Sequence, residues 1–179
     1  MHIAGDDPRT DDVAALLRAH LQEMFLHSPP ESVHALDLDA LCAPDIAFWT
    51  LRDDDGALMG CAALKRLDAT HAEIKSMRTA PAHLRKGVAA RLLTHLLETA
   101  RQSGCRRVSL ETGAPEAFAP ARALYARFGF VPCGPFADYA EDPYSVFMQR
   151  TLDTPDVSDA SRSVMAASPA AYTRGMQCA

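Results

Sequence analysis

Leu84-Arg85-Lys86-Gly87-Val88-Ala89-Ala90 is the segment of this chain best suited to chemistry. Gly87 stands where an apolar helical stripe begins, and a helix start presents backbone N–H groups with no intrahelical acceptor. The helix dipole adds about half a positive charge at the same end. Gly87 and the small Ala89 allow close approach to that backbone, and Arg85 and Lys86 add two cations beside it. A strand leads into the turn. The arrangement is that of a phosphate site at a strand-to-helix junction, although an ordinary helix start with solvated Arg and Lys gives the same pattern. Elsewhere, Glu73 and Glu111 lie in strand-like stretches, Trp49, Lys75 and Arg78 are candidates to line a pocket, and Lys75 or Arg78 has the chemistry to bind a carboxylate.

The elements that must position these groups follow from periodicity. Thr10 and Asp11 precede apolar residues at Val13, Leu16, Leu17, Leu21, Met24 and Phe25, one face of a helix that Pro29 and Pro30 end. A weaker helical stretch is expected from Glu31 to about Cys42. Ile46 to Leu51 reads as a strand, and Asp53-Asp54-Asp55-Gly56 as a hairpin turn, since this acid run lacks the wider ligand spacing of a calcium loop. Strands are predicted over about Ala57 to Leu67 and His71 to Thr79. Alternation puts Glu73, Lys75, Met77 and Thr79 on one face of the second. Val88, Leu92, Leu93, Leu96, Leu97 and Ala100 form a helical stripe closed by Gly104. A short strand from Arg107 to Glu111, a helix from Ala119 to Phe128 ended by Gly129, an extended segment from Phe130 and a last strand from Ser145 to Thr151 complete the order. The expected fold is a mixed α/β sandwich around one sheet. After Asp153 the composition turns to Ser, Ala, Asp and Thr without apolar period, so residues 1–152 are read as the domain and 153–179 as a flexible tail.

Composition narrows the function classes. At 179 residues, 48% hydrophobic and 23% charged, the chain suits one domain with a real core. A net charge of -5 with no basic tract speaks against nucleic-acid binding. No window approaches the roughly 18 apolar residues of a membrane span, and the N-terminus lacks a signal-peptide pattern; a soluble, cytoplasmic protein is expected. Cys42, Cys61, Cys105, Cys133 and Cys178 are scattered and odd in number, as reduced thiols are, and no metal site is expected.

Two separated motifs then resemble the GNAT acetyltransferase superfamily. The first is a strand, Glu73 to Thr79, followed by a loop similar to the family's acyl-CoA motif, Gln/Arg-x-x-Gly-x-Gly/Ala, here Leu84-Arg85-Lys86-Gly87-Val88-Ala89. The second, about 35 residues on, is Leu124-Tyr125-Ala126-Arg127-Phe128-Gly129-Phe130. The resemblance covers roughly residues 10 to 151. Leu110-Glu111-Thr112-Gly113, Phe118-Ala119-Pro120-Ala121 and Pro135-Phe136-Ala137-Asp138-Tyr139 resemble a bacterial subgroup. The first motif position departs from the family: Leu84 cannot donate a hydrogen bond, so the backbone and Gly87 must carry the anion, with Arg85 as a substitute charge.

The resemblance implies a central mixed, mostly antiparallel sheet flanked by helices, acetyl-CoA as cosubstrate without a metal, and transfer of an acetyl group to a primary amine by direct attack in a ternary complex. It implies that Met77, Arg78 and Thr79 pair with the pantetheine arm through their backbone, Met77 N–H facing the carbonyl, and that Arg85, Lys86, Gly87, Val88, Ala89 and Ala90 hold the pyrophosphate. Tyr125 matches the family tyrosine near the sulfur and is the candidate general acid. Glu73 is at the register of the glutamate base of histone-acetylating members; Glu111 is a rival base or orienting carboxylate. Trp49, Lys75 and Glu111 are candidate acceptor contacts. A base is needed because an alkylamine with pKa near 10.4 is on the order of 0.1% neutral at pH 7. The expected partner is a small-molecule amine, met by a monomer or homodimer. A non-catalytic acyl-CoA-binding regulator and a protein or peptide acetyltransferase remain as alternatives. An acyl-cysteine route through Cys61, Cys105 or Cys133, with His71, His83 or His95, has no local signature.

Overall fold

The computed structural model describes residues 1–152, so the segment read as a tail, 153–179, lies outside the described residues. Seven strands form one sheet: β1 (His2–Gly5), β2 (Ile46–Arg52), β3 (Leu58–Arg66), β4 (His71–Thr79), β5 (Arg107–Gly113), β6 (Val131–Cys133) and β7 (Ser145–Thr151). Their order is β1-β2-β3-β4-β5-β7-β6, antiparallel everywhere except the parallel β4–β5 pair. A parallel pair needs a crossover, and helix α2 (Val88–Gln102) supplies it. Helices α1 (Asp11–His27) and α3 (Ala119–Arg127) complete the set. This is the mixed, mostly antiparallel sheet flanked by helices that the resemblance implies. Among the described residues no helix is long and apolar enough to cross a membrane.

Each face of the sheet has its own core. Leu92, Leu93, Leu96 and Ala100 of α2 are fully buried against Ala62, Leu64, Ala72, Val108 and Leu110, with Tyr125 and Phe130 in the same cluster. On the opposite face Val13, Leu16 and Leu17 of α1 pack on Phe48, Cys61 and Ala63. The apolar stripe of α2 is therefore buried as its period predicts. That of α1 is buried only in its first half: Phe25 is 48% exposed and Leu26 79%, so the C-terminal turns of α1 overhang the sheet.

Two sequence expectations are corrected. The stretch from Glu31 to Cys42 is not a helix; it contains only single 3-10 turns at Pro30–Ser32 and Ala40–Cys42. It has no continuous apolar face to bury, and packing rather than propensity makes most helices stable. The N-terminal residues, with no strand signal in our reading, form β1 along β2.

The consequential correction concerns β4. Its register against β3 slips between Cys61 and Ala63: Lys75 pairs with Ala63, but Arg78 pairs with Cys61, so three residues of β4 span two of β3. Ser76 takes φ 50°, a left-handed conformation that costs a non-glycine residue roughly 1–3 kcal/mol. An extra residue reverses the alternation. Glu73, Lys75 and Arg78 consequently share the α1 face, whereas Met77 and Thr79 turn to the α2 face. Gly60, opposite Thr79, is what lets α2 approach there: a Cβ at this position would lie 2.7 Å from the Arg78 carbonyl oxygen and 2.8 Å from a Val88 methyl. Gly60→Ala is expected to lower unfolding free energy by about 1–3 kcal/mol, the cost of overpacking; urea melts of the two proteins check it.

Candidate active site

The turn before α2 folds as an anion cradle requires. Arg85 and Gly87 both adopt positive φ, 61° and 79°. Gly87 is the N-cap, and the first intrahelical bond is Arg91 N–H to Gly87 O, at 3.0 Å. The N–H groups of Val88, Ala89 and Ala90 therefore have no acceptor within the helix. Nothing lies within 4 Å of a Cβ built on Gly87, and Arg85 and Lys86 are exposed. Val88 contributes backbone only, because its side chain is buried in the core.

Beside this turn the sheet opens. β4 and β5 pair over only four residues, the last being Ile74 with Leu110, while β5 stays paired with β7 as far as Gly113. Past Ile74 the two strands diverge, and a cavity of about 450 Å³ occupies the gap. Its walls come from both faces of the sheet. Ala89, Ala121, Leu124 and Tyr125 contribute from the α2–α3 side, and His20, Glu23, Met24 and His27 from α1. Residues 75–79 of β4 and 111–113 of β5 form the lips. Leu84, at the irregular motif position, is 56% exposed and lines this cavity. It supplies an apolar wall rather than a donor. His27 and Phe118 meet edge to face at 6.0 Å and narrow the α1 side. Gly113 permits this, since a Cβ there would fall 2.2 Å from the Phe118 ring.

Tyr125 is buried at the cavity wall, its ring edge-on to Phe130 at 5.8 Å. Burial, reinforced by the charge of Glu111, pushes its phenol well above the usual range, so it is protonated at neutral pH. Glu111 also lines the cavity. It accepts a hydrogen bond from Ser145 Oγ at 2.7 Å, and burial raises its carboxyl above the ordinary value, with the negative charge of Glu73 adding to the rise.

Glu73 is placed differently. It is 3% exposed and does not line the cavity. Tyr139 Oη donates to its Oε1 at 2.6 Å, and Lys75 Nζ stands 3.3 Å from the same oxygen. Lys75 Nζ also donates to Tyr139 Oη at 2.6 Å and to the His34 carbonyl at 3.1 Å, so two of its protons are committed and its charge is paired with Glu73. Tyr139 belongs to the 134–144 segment, which lies on the α1 face of β5 and β7 through contacts of Phe136 and Tyr139 with Phe147. Lys75 thus reaches the cavity wall as a bound ammonium.

Trp49 is not at the cavity. It sits on the α2 face, where its ring meets His95 edge to face at 5.1 Å; on β2 it is two strands from the opening. Cys61, Cys105 and Cys133 are also away from it, and burial pushes the Cys61 thiol up to about 12. A thiol so hard to ionise is a poor nucleophile. The sequence reading did not single out His20, Glu23, Met24, His27, His34 or Tyr139 as site residues. The aromatic spacing of Phe136 and Tyr139 was visible, but nothing local marks which face of α1 overhangs a cavity.

Replacing Lys75 by Met leaves Glu73 buried without its cation. Removal of one partner of a buried ion pair typically costs about 3–5 kcal/mol. Urea melts of Lys75→Met against wild type check this deficit.

Residues 12–130 match the acetyltransferase (GNAT) family. YsnE of Bacillus subtilis, an uncharacterized N-acetyltransferase, is 55% identical over 152 residues, covering 85% of this chain and all of that one. An IAA acetyltransferase of Azospirillum brasilense is 35% identical over 154 residues, covering 84% of this chain and 97% of that one. A crystal structure from Klebsiella pneumoniae, assigned as an acyl-CoA N-acyltransferase, superimposes with a TM-score of 0.69 at 28% identity, covering 85% of this chain and 97% of that one. With its splayed sheet, its backbone cradle before α2 and these relatives, the chain belongs to the acetyltransferase (GNAT) family and is an enzyme of the acyltransferase class.

Proposed function

We propose that this enzyme transfers an acetyl group from acetyl-CoA to the primary amine of a small molecule, by direct attack with both substrates bound. The observation that carries the reading is the cavity through the β4–β5 opening, which joins the cradle side of the sheet to the α1 side. The pyrophosphate rests on the N–H groups of Val88, Ala89 and Ala90, with Arg85 and Lys86 alongside. The pantetheine arm enters the opening and pairs with the free backbone of residues 77–79, as a strand adds to an edge. The acetyl group of the Azospirillum relative's name and the N-acetyltransferase name of YsnE agree with this donor and this acceptor atom.

The amine arrives from the α1 side and meets Glu111. Of the two candidate carboxylates, Glu111 fits the base: it touches the cavity, and its raised affinity for protons suits proton removal near neutrality. Glu73 holds Lys75 and Tyr139 in place. The neutral amine attacks the thioester carbon and forms the C–N bond. Met77 N–H faces the carbonyl oxygen as it gains charge. Glu111 has by then taken the ammonium's first proton, so when the C–S bond breaks the sulfur takes the phenolic proton of Tyr125, and the second proton from nitrogen restores that phenol through solvent. Holding amine and thioester together in attack geometry contributes as well, by up to about 7–11 kcal/mol in well-oriented systems.

Tyr125→Phe is expected to lower kcat at least tenfold while calorimetry finds acetyl-CoA affinity within about twofold of wild type; unchanged kcat removes Tyr125 from the acid role. Glu111→Gln should lower kcat/KM on the order of 100-fold. In the wild type kcat/KM should fall as pH drops through a value above the usual carboxylate range, and this limb should vanish in Glu111→Gln, as read by thiol release. Gly87→Glu should abolish acetyl-CoA binding through bulk and like charge at the pyrophosphate, and calorimetric titration at wild-type affinity would contradict this site.

A further inference from the structure

We propose that the acceptor is an amino acid, whose carboxylate is taken by the guanidinium of Arg78 while its amine meets Glu111. The proposal rests on the transferase reading above and names the substrate class of the same cavity.

Arg78 lines the cavity and, because of the slip at Ser76, points to the α1 face, where the acceptor enters. Of its five donors, one Nη2 hydrogen is spent, on Glu23 of α1. Its Nε is buried and has no hydrogen-bond partner among the described residues. Lys75, the other cation at the wall, is already paired with Glu73 and donates to Tyr139 and to the His34 carbonyl. Arg78 is therefore the cation here with donors to spare.

Its current partner is easily displaced. The Glu23 side chain is 45% exposed, against 24% for Arg78. An ion pair with one largely solvated member contributes little, typically about 0–1 kcal/mol. A substrate carboxylate held inside the cavity is shielded from water and can take two donors of the planar fork at once. His20, packed close enough for the Arg78 charge to reach it, is kept neutral down to about 4 by burial and by that charge. It adds no competing cation. Glu23 thus stands in for the carboxylate until the acceptor arrives.

The spacing fits. Lys75 directly follows Ile74, the partner of Leu110, so it sits beside Glu111. Arg78 is three residues further, at most about 10 Å along the strand. A short acceptor that carries both an ammonium and a carboxylate, as an α- or β-amino acid does, can meet both side chains across that span.

The test uses the full-length enzyme and acetyl-CoA, with thiol release measured for the twenty common L-amino acids, their carboxamides and their decarboxylated amines. For at least one amino acid, kcat/KM should exceed that of its carboxamide and amine at least tenfold. Arg78→Gln should bring that ratio to within about twofold of one. Glu23→Gln, which removes the stand-in, should lower the KM for the acid and leave the KM for its carboxamide in place. Carboxamides or amines used as well as the acids would overturn carboxylate recognition while leaving the transferase intact. Acetyl-CoA binding with no thiol release from any compound would instead remove the transferase reading, and this inference with it.

Discussion

The structure turns on one extra residue in β4. Because Ser76 adopts a left-handed conformation, the strand advances three residues against two of its neighbour and then continues with its faces exchanged. Its pairing with β5 has by then ended at Ile74 and Leu110. An unbroken parallel pair would seal the sheet between α1 and α2. The divergence instead leaves main-chain donors and acceptors of residues 75–79 and 111–113 facing a gap, where a ligand with amide groups can satisfy them. The same slip sorts side chains. Met77 and Thr79 face the helix that carries the cradle, and Arg78 faces the helix that overhangs the acceptor side. Local strain of a few kcal/mol at most is offset by the two buried cores on either side.

The charges near the opening are unequal in kind. Glu73, Lys75, Tyr139 and the His34 carbonyl form a closed set, sealed under the 134–144 segment. Glu111 stands next to this set with one bond from Ser145. Two carboxylates and one ammonium leave the group one positive charge short, and burial makes that shortage costly. An incoming ammonium corrects it, and loss of a proton from that ammonium to Glu111 corrects it equally well. On the proposed reading, the same surroundings favour binding the charged amine and converting it to the nucleophile.

Most of the fold was legible because it rests on period and punctuation. The stripe of Val88 to Ala100, the turn at Asp53 to Gly56 and the Gly129 stop each specify an element locally. The cradle was legible for the same reason, since Gly87 and a helix start are local facts. The face of Arg78 was not. Alternation from Glu73 to Thr79 is a sound rule until a residue leaves the pleat, and nothing in Lys75-Ser76-Met77 announces that departure. The surroundings of Glu73 were hidden similarly. Register identified the position, but whether a carboxylate there is open or sealed depends on Tyr139, 66 residues away. Conversely, the helix expected over 31–42 lacked a partner surface, and propensity alone did not make one.

The irregular loop position follows the same division between backbone and side chain. A cradle made of N–H groups keeps its geometry whatever side chain precedes it, provided Gly87 retains positive φ. On the proposed reading a polar side chain at position 84 would add one contact to the pyrophosphate; Leu84 instead extends the apolar wall of the cavity, which Ala89 and Met77 also line. Arg85, itself at positive φ, turns its guanidinium to solvent next to the same turn, where a long-range charge steers an anion without being fixed to it. On the proposed reading affinity resides mainly in main-chain dipoles, and the loop can tolerate Leu84 where it cannot tolerate a side chain at Gly87.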